Sequence, residues 1–313
     1  MKGEENPLLC IGLCTYQRPD MLTEALDSVA QLRLPSNVNL KLLVCDNDAE
    51  ASAREVVDSF RPKLSFPIEY LIEGNRGIVF ARNRILEVAL QHSATYVAFF
   101  DDDETVEPGW LVTLLQCMEE YDADVVNGKV VFLWPDEVNL HVRLRNMLQR
   151  MHFPQTGERQ HGSGTGNVLF KTDWIREGHR FHHELNLRGG SDQLFFQQLN
   201  DKGARIVWCN EALAYEKVPL SRANREWLLK RRYRYGYNKF YILKHRFGLA
   251  HARKDSKRFC LKEFMWCISR APFYPLGSED FKIKWIAKWL FAKGVWHGLQ
   301  EKDYFEYQIV HGS

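Results

Sequence analysis

The sequence has no apolar run of about 18 residues or more, the length that a bilayer-crossing helix needs. Its longest runs, residues 8–14 and 96–100, have the length of strands, so no membrane span is expected. Cysteine is scarce: seven residues, an odd number, without pairing rhythm or metal-ligand spacing. That argues against a disulfide framework and for reduced thiols in a cytosolic protein. Cys10, Cys14 and Cys45 sit in apolar runs and read as small buried hydrophobes. The opening residues, with Lys2, Glu4 and Glu5, show no cleavable signal pattern. Internal repeats and low-complexity tracts are missing as well. Net charge is only +2 over 313 residues, but it hides a split. Residues 222–313 hold 20 Lys/Arg against 8 Asp/Glu, a balance of +12, which leaves −10 for residues 1–221. An acidic body with a basic tail bears on partners rather than on fold.

What is there is a globular composition, 45% hydrophobic and 26% charged, in a chain long enough to bury a large core. The first half alternates short β-branched runs with helix-like stretches. Strands are expected over 8–16, 40–46, 68–72 and 95–100, and helices over 19–32, 51–60, 77–92 and 108–120. This order predicts an α/β fold with a largely parallel sheet and helices on both faces. Ligands of such sheets bind beyond the carboxyl ends of the strands, where residues 15–18, 46–48 and 101–104 fall. Beyond residue 124 the pattern loosens: strands over 125–133, 168–170 and 204–208, helices over 139–151 and 191–202, and a Gly- and His-containing loop over 153–166. After Pro219 the composition turns to Arg, Lys and aromatics. The expected division is a domain over 1–221, with halves at about 1–105 and 106–221, followed by a basic, aromatic helical extension over 222–313.

The strongest chemical feature is Phe99-Phe100-Asp101-Asp102-Asp103-Glu104. Four carboxylates in a row at the end of a buried strand repel one another unless a cation sits among them. Oxygen-only ligands suit Mg²⁺ or Mn²⁺ better than zinc. In extended chain, Asp101 and Asp103 point the same way and can share a site. A solvated acidic turn is the alternative.

Strand plus Asp-x-Asp resembles the inverting glycosyltransferases of family 2, which have the GT-A fold. Three further segments agree in order: Ile11-Gly12-Leu13-Cys14-Thr15-Tyr16-Gln17-Arg18-Pro19, Leu42-Leu43-Val44-Cys45-Asp46-Asn47-Asp48, and Asn75-Arg76-Gly77-Ile78-Val79-Phe80-Ala81-Arg82-Asn83. The resemblance spans roughly residues 8–215. It implies a nucleotide-sugar donor, with uracil the favoured base. The donor would be held by Thr15, Tyr16, Arg18, Asp46, Arg82, Asp101 and Asp102, and Asp103 would ligate the metal. Asp101 would share the metal or contact the ribose. Read without the resemblance, Asp46 caps a loop, Arg82 is a surface cation and Gly77 is a turn residue.

Inverting transfer needs a general base across the sugar from the metal. In Gly189-Gly190-Ser191-Asp192, a carboxylate opens a helix after two glycines. The family has a Glu-Asp pair here, so the resemblance implies Asp192 as base, with Ser191 beside it; the alternative is a residue of the helix's first turn. Gly162-Ser163-Gly164-Thr165-Gly166-Asn167 resembles the family's Gly-rich lining of the sugar pocket, which implicates Gly164, Thr165, Gly166 and Asn167. Trp134 either stacks on a sugar or packs in the core. Many relatives offer a His metal ligand where this chain has Glu216, which is a ligand or the partner of Lys217. His161, His179, His182 and His183 fit no zinc spacing and read as acceptor contacts or surface residues.

In the extension, residues 222–246 read as one helix, and Phe281, Trp285, Trp289 and Trp296 share an arc flanked by Lys282, Lys288 and Lys293. The arc suits either core packing or an anionic membrane surface, the second implying a peripheral protein on the cytoplasmic face. A glycan or lipid-linked saccharide is the expected acceptor. Nucleic acid is not an expected partner, given the acidic body. Two other classes stay open: a nucleotidyltransferase, for which no basic phosphate loop follows the first strand, and a sugar-nucleotide-binding protein without turnover.

Overall fold

A computed structural model of the chain describes residues 6–148 and 153–302. The first half is β1 (Leu8–Thr15), α1 (Pro19–Ala30), β2 (Asn39–Asp46), α2 (Arg54–Phe60), β3 (Ile68–Ile72), α3 (Ile78–Gln91), β4 (Tyr96–Phe100), β5 (Glu104–Val106) and α4 (Trp110–Glu120). Then come β6 (Val125–Leu133), α5 (Val142–Arg145), β7 (Arg159–Gln160), β8 (Asn167–Lys171), α6 (Asp173–Arg176), α7 (Ser191–Asp201) and β9 (Ile206–Lys217). Three long helices follow: α8 (Arg225–Phe247), α9 (Leu249–Arg270) and α10 (Glu279–Leu299).

The strands form one sheet in the order β3-β2-β1-β4-β8-β6-β9-β5, with β7 added on β9. Neighbours run parallel from β3 to β4 and between β6 and β9. Direction reverses where β8 enters between β4 and β6, and β5 and β7 meet β9 antiparallel. β1 shows why the strands are apolar on both faces: Leu9, Ile11 and Leu13 enter a core with α1, α2 and α4. Cys10 and Cys14 enter the opposite one, with α3 and α7. Both faces are covered, so a continuous hydrophobic run is what such a strand needs. All seven cysteines are buried and unpaired.

Two helix boundaries differ from the sequence expectation. The helix expected over 139–151 shrinks to the single turn α5, while 149–151 lie outside the described residues. The helix expected from residue 222 starts at Arg225, because the Asn224 side chain accepts from the Trp227 amide at 2.9 Å and fixes the first turn there. That leaves Arg222 in a turn, free to point elsewhere than along the helix.

The three C-terminal helices pack on one another, α8 against α10 above all. A Cβ at Gly236 would lie 2.0 Å from the Phe291 carbonyl, and one at Gly294 would lie 2.1 Å from the Tyr233 carbonyl. Backbone therefore touches backbone, and only glycine permits the approach. Gly294→Ala is expected to cost about 3 kcal/mol, a fall in Tm on the order of 5 °C or more by circular dichroism. An unchanged melt would mean that the helices can separate at no cost. Among the described residues no helix is long and apolar enough to cross a membrane.

The α10 arc is split between packing and exposure. Trp285 donates through Nε1 to the Cys267 carbonyl of α9 at 2.9 Å and stacks on Trp289 with centroids 5.7 Å apart. Trp289 and Trp296 stay partly exposed, whereas Ile283, Ala287 and Val295 are buried on the other side.

Candidate active site

A cleft of about 1060 Å³ opens beyond the carboxyl ends of β1 and β4, with α7 and α8 forming its far walls. At its floor the chain leaves β4 through buried Phe99 and Phe100 and turns at once through the acidic run. The turn is held from four sides. Asp101 accepts from Arg82 Nη2 at 3.3 Å, and its amide donates to Glu104 Oε2 at 3.0 Å. Asp102 accepts from Thr15 Oγ1 at 2.8 Å and from Arg18 at 3.2 Å. Asp103 lies 3.7 Å from Arg18 and 3.3 Å from Arg222 Nη1, and that same nitrogen is 3.5 Å from Glu216. β9 brings Glu216 there by pairing it with Glu104.

The electrostatics of the cluster follow from burial and crowding. Burial first, then the Asp103 charge, pushes Asp102 up to about 7 and Glu216 up to about 8. Glu104 goes well above the usual carboxylate range, through burial and the charges of Asp101 and Glu216. Asp101 is raised by burial and by Asp103 and Asp192, against the opposing pull of Arg82. Buried, crowded carboxylates are what a divalent cation relieves. The donor set is all oxygen, which fits Mg²⁺ or Mn²⁺. Asp103 and Glu216, converging on one guanidinium nitrogen, would hold such an ion with Asp101 beside them. The ion would there offset the charge of a leaving diphosphate.

The adjoining wall takes shape from the β1 and β2 ends. Thr15, Tyr16, Arg18, Arg82, Asp101 and Asp102 all line the cleft. The Arg76 guanidinium lies 5.2 Å from the centre of the Tyr16 ring. Asp46 does not belong there. It is 0% exposed and accepts from Ala53 N at 2.7 Å, Tyr70 Oη at 2.7 Å and Asp48 N at 3.1 Å. The expectation of a base contact is thus corrected to a loop cap. Its neighbour Asn47 lines the cleft instead, bonded to the Gly77 amide and to the carbonyls of Glu73 and Asn75.

Across the cleft, Gly189 (φ 85) and Gly190 (φ 81) take left-handed conformations and turn the chain into α7 with Asp192 in its first turn. A Cβ at Gly164 would lie 3.5 Å from Asp192 Oδ2, so the Gly-rich segment runs directly beside this carboxylate. Ser191 lines the same wall. The segment before Asp192 is pinned at several points. Asn83 exchanges hydrogen bonds with the Phe181 backbone, and Asn238 of α8 donates to the Arg188 carbonyl at 3.2 Å. His182, Glu184 and His245 also converge, but Glu184 is held there by Lys244 at 2.9 Å and His245 at 2.7 Å. That cluster ties the loop to α8.

Four residues expected in the sugar pocket lie elsewhere. Asn167 is buried, accepting from Trp110 Nε1 at 2.8 Å and donating to the Lys129 and Ala212 carbonyls. Thr165 is 2% exposed and off the cleft. Gly166 lies against the Glu104 carboxylate. Trp134 packs with Leu144, Leu228 and Ile283, which corrects the stacking alternative to a packing one. Of that segment, Gly164 lines the cleft, together with Gly162 and Ser163. Glu104, Arg222, Arg231 and Arg234 were not foreseen. Glu104 was visible only as the end of the acidic run, and the arginines carried no signal beyond a basic tail.

A sheet of this order, with carboxylates beyond β4 and a second carboxylate facing them from α7, defines a GT-A-type glycosyltransferase. Residues 10–178 match the family described as Glycosyl transferase family 2. The succinoglycan biosynthesis protein ExoM of Rhizobium meliloti is 37% identical over 227 residues, 72% of either chain. In fold, the chain is similar to the mannosyltransferase PcManGT from Pyrobaculum calidifontis, solved with GDP-Man and Mn²⁺. The TM-score is 0.61 at 13% identity, over 96% of this chain and 89% of that one. It is also similar to S. aureus TarS 1-349 in complex with UDP-GlcNAc: TM-score 0.55, 16% identity, 97% of this chain and 95% of that one. The chain belongs to glycosyltransferase family 2, and it is a glycosyltransferase.

Proposed function

We propose that the protein is an inverting transferase that moves a sugar from a UDP-sugar to a hydroxyl of a glycan or lipid-linked saccharide in bacterial polysaccharide assembly. The observation that carries this is the pairing, within one cleft, of the Asp101–Asp103/Glu216 cluster with Asp192 against Gly164. Thr15, Tyr16, Arg18, Arg82, Asp101 and Asp102 hold the nucleotide, and Asp103, Glu216 and Asp101 hold Mg²⁺ or Mn²⁺. Ser191 and Gly164 border the acceptor. Asp192 takes the proton of the acceptor hydroxyl as its oxygen bonds to the anomeric carbon, and the sugar–phosphate bond breaks with its electron pair leaving on the diphosphate. The UDP-GlcNAc complex of a fold neighbour and the name of the ExoM relative support the choice of donor and pathway class. The test is thermal denaturation with UDP, GDP and their sugars, with and without Mn²⁺, since a ligand of the folded state raises its stability. A Mn²⁺-dependent rise specific to UDP is expected; no response to any nucleotide would remove the reading.

The protein is further proposed to rest on the cytoplasmic face of the membrane, in keeping with seven buried thiols and no disulfide. The surface for this lies more on α9 than on the tryptophan arc. Leu261, Met265 and Ile268, at helical spacing, are each more than 60% exposed, and Phe273 and Leu276 continue the patch at 64% and 92%. Exposed Lys257, Arg258, Lys262 and Arg270 border it. An apolar stripe with a cationic margin matches an anionic leaflet. Leu261→Asp with Met265→Asp should cut co-sedimentation with anionic vesicles about tenfold or more; undiminished binding would refute this surface.

A further inference from the structure

The ion site proposed above already has a cation in it. A single nitrogen of Arg222, Nη1, lies 3.3 Å from Asp103 Oδ2 and 3.5 Å from Glu216 Oε1. These are two of the carboxylates assigned to Mg²⁺ or Mn²⁺, and one nitrogen serves both, as one ion would. Burial and then the Asp103 charge push Glu216 up; Arg222 is the first group to oppose them, with Arg231 behind it. The guanidinium is thus a counter-charge to the cluster.

Arg222 is held loosely for so buried a cation. Charge-assisted bonds from arginine to carboxylate run at about 2.7–2.9 Å and often come in pairs. The chain makes such a pair elsewhere, where Arg246 meets Asp201 through two nitrogens at 2.7 and 2.8 Å. The Arg222 side chain, only 14% exposed, has instead two long contacts from one nitrogen. Its Nε is buried without a hydrogen-bond partner among the described residues, and its Cζ lies 5.9 Å from the centre of the Trp227 ring. A buried donor left unpaired costs free energy of its own. The residue also sits outside both neighbouring elements. β9 ends at Lys217, α8 starts at Arg225, and the Arg222 amide closes a turn on the Pro219 carbonyl at 2.8 Å. No strand or helix bond has to break for this side chain to turn away.

Resting on the glycosyltransferase reading and its ion assignment, we infer that Arg222 is the resident cation of the ion site and gives way readily only to an ion that enters with a diphosphate. A small divalent ion bonds oxygen at about 2.1 Å, so it and the guanidinium cannot share the space between Asp103 and Glu216. An ion arriving alone expels a buried guanidinium that then faces no anion. An ion arriving with the diphosphate brings the anion with which that guanidinium can pair. Arg222 is thus a positioning residue. It makes the uptake of ion and nucleotide cooperative and keeps the carboxylates neutralised while both are absent.

The test is Mn²⁺ binding to the full chain at pH 8, read from the electron paramagnetic resonance signal of the free ion, with and without saturating UDP. In the parent, UDP should tighten Mn²⁺ binding by about fiftyfold, and Mn²⁺ should tighten UDP binding by the same factor. R222Q should bind Mn²⁺ alone about tenfold more tightly and keep only about a fivefold coupling. R222K, which keeps the charge, should bind Mn²⁺ alone within about threefold of the parent. A merely structural role for Arg222 would not produce a gain in Mn²⁺ affinity. In chelator at the same pH, R222Q should melt about 3 °C or more below the parent, and Mn²⁺ should raise its Tm by more than it raises the parent's. An Mn²⁺ affinity that R222Q leaves unchanged or weakens would overturn the proposal, as would a coupling that R222Q leaves intact. Failure of both proteins to bind Mn²⁺ would overturn it together with the ion assignment. Failure of both to bind UDP, with the gain in Mn²⁺ affinity still present, would refute the donor reading and uphold Arg222 as the resident cation.

Discussion

Asp192→Asn is expected to lower turnover by about 10²–10⁴-fold and to leave the affinity for UDP within about twofold. The expectation rests on position. Asp192 faces the acidic cluster from α7, in a helix entered through two left-handed glycines, and lies against Gly164. Its charge also reaches Asp101, whose pKa it helps to raise, so the two walls are within electrostatic range. Asn keeps the shape and loses the capacity to accept the hydroxyl proton. A first-turn residue without a chemical role would leave the rate unchanged, and a rate within about threefold of the parent would dismiss the assignment. Loss of UDP binding together with rate would instead point to a collapsed cleft.

The second large effect concerns pH and divalent cations together. Asp102 at about 7 and Glu216 at about 8 lie above their unfolded values, chiefly through burial and then through Asp103. A carboxyl group raised on folding binds its proton more tightly in the native state. Its stabilising contribution is therefore complete below the unfolded pKa and disappears as pH rises through the folded one. In chelator, Tm should fall between about pH 5 and 8, by an amount on the order of 5 °C. Mn²⁺ should restore it, with a larger gain at pH 8 than at pH 5.5, because the ion competes with protons for the same oxygens. Asp103→Ala removes the main neighbouring charge and a ligand at once, so both the pH slope and the Mn²⁺ gain should shrink. A flat Tm profile in chelator, with a Mn²⁺ gain that ignores pH, would contradict this account.

Much of the fold was legible because it is written in short-range pattern. β1, β2, β3 and β4 were expected within a residue or two, since apolar runs bounded by polar turns need little tertiary knowledge. The acidic run and the glycines before Asp192 were legible for a related reason: crowded carboxylates and paired glycines are costly unless a ligand or a turn uses them. Side-chain destination was not legible. Asp46 could face a base or the loop behind it, and Tyr70, 24 residues away, together with the Ala53 amide decides for the loop. Asn167 looked like pocket lining in a Gly-rich stretch, but its partners Trp110 and Ala212 come from elements far along the chain. Arg222 could not be singled out from a tail of similar residues. Asn224 capping α8 keeps it out of the helix, and β9 pairing brings Glu216 to it.

The glycine contact between α8 and α10 limits how this enzyme can be recombined with its relatives. Because Gly236 meets the Phe291 carbonyl and Gly294 meets the Tyr233 carbonyl, the two helices fit each other only as a pair. A chimera that grafts α8 alone would set side chains where backbone must pass. A graft that crosses over between β9 and Arg222 and carries everything from α8 to α10 would keep the contact whole. It would still need Arg222, whose partners Asp103 and Glu216 stay behind with the host sheet. The practical unit of exchange is thus longer than α8 alone.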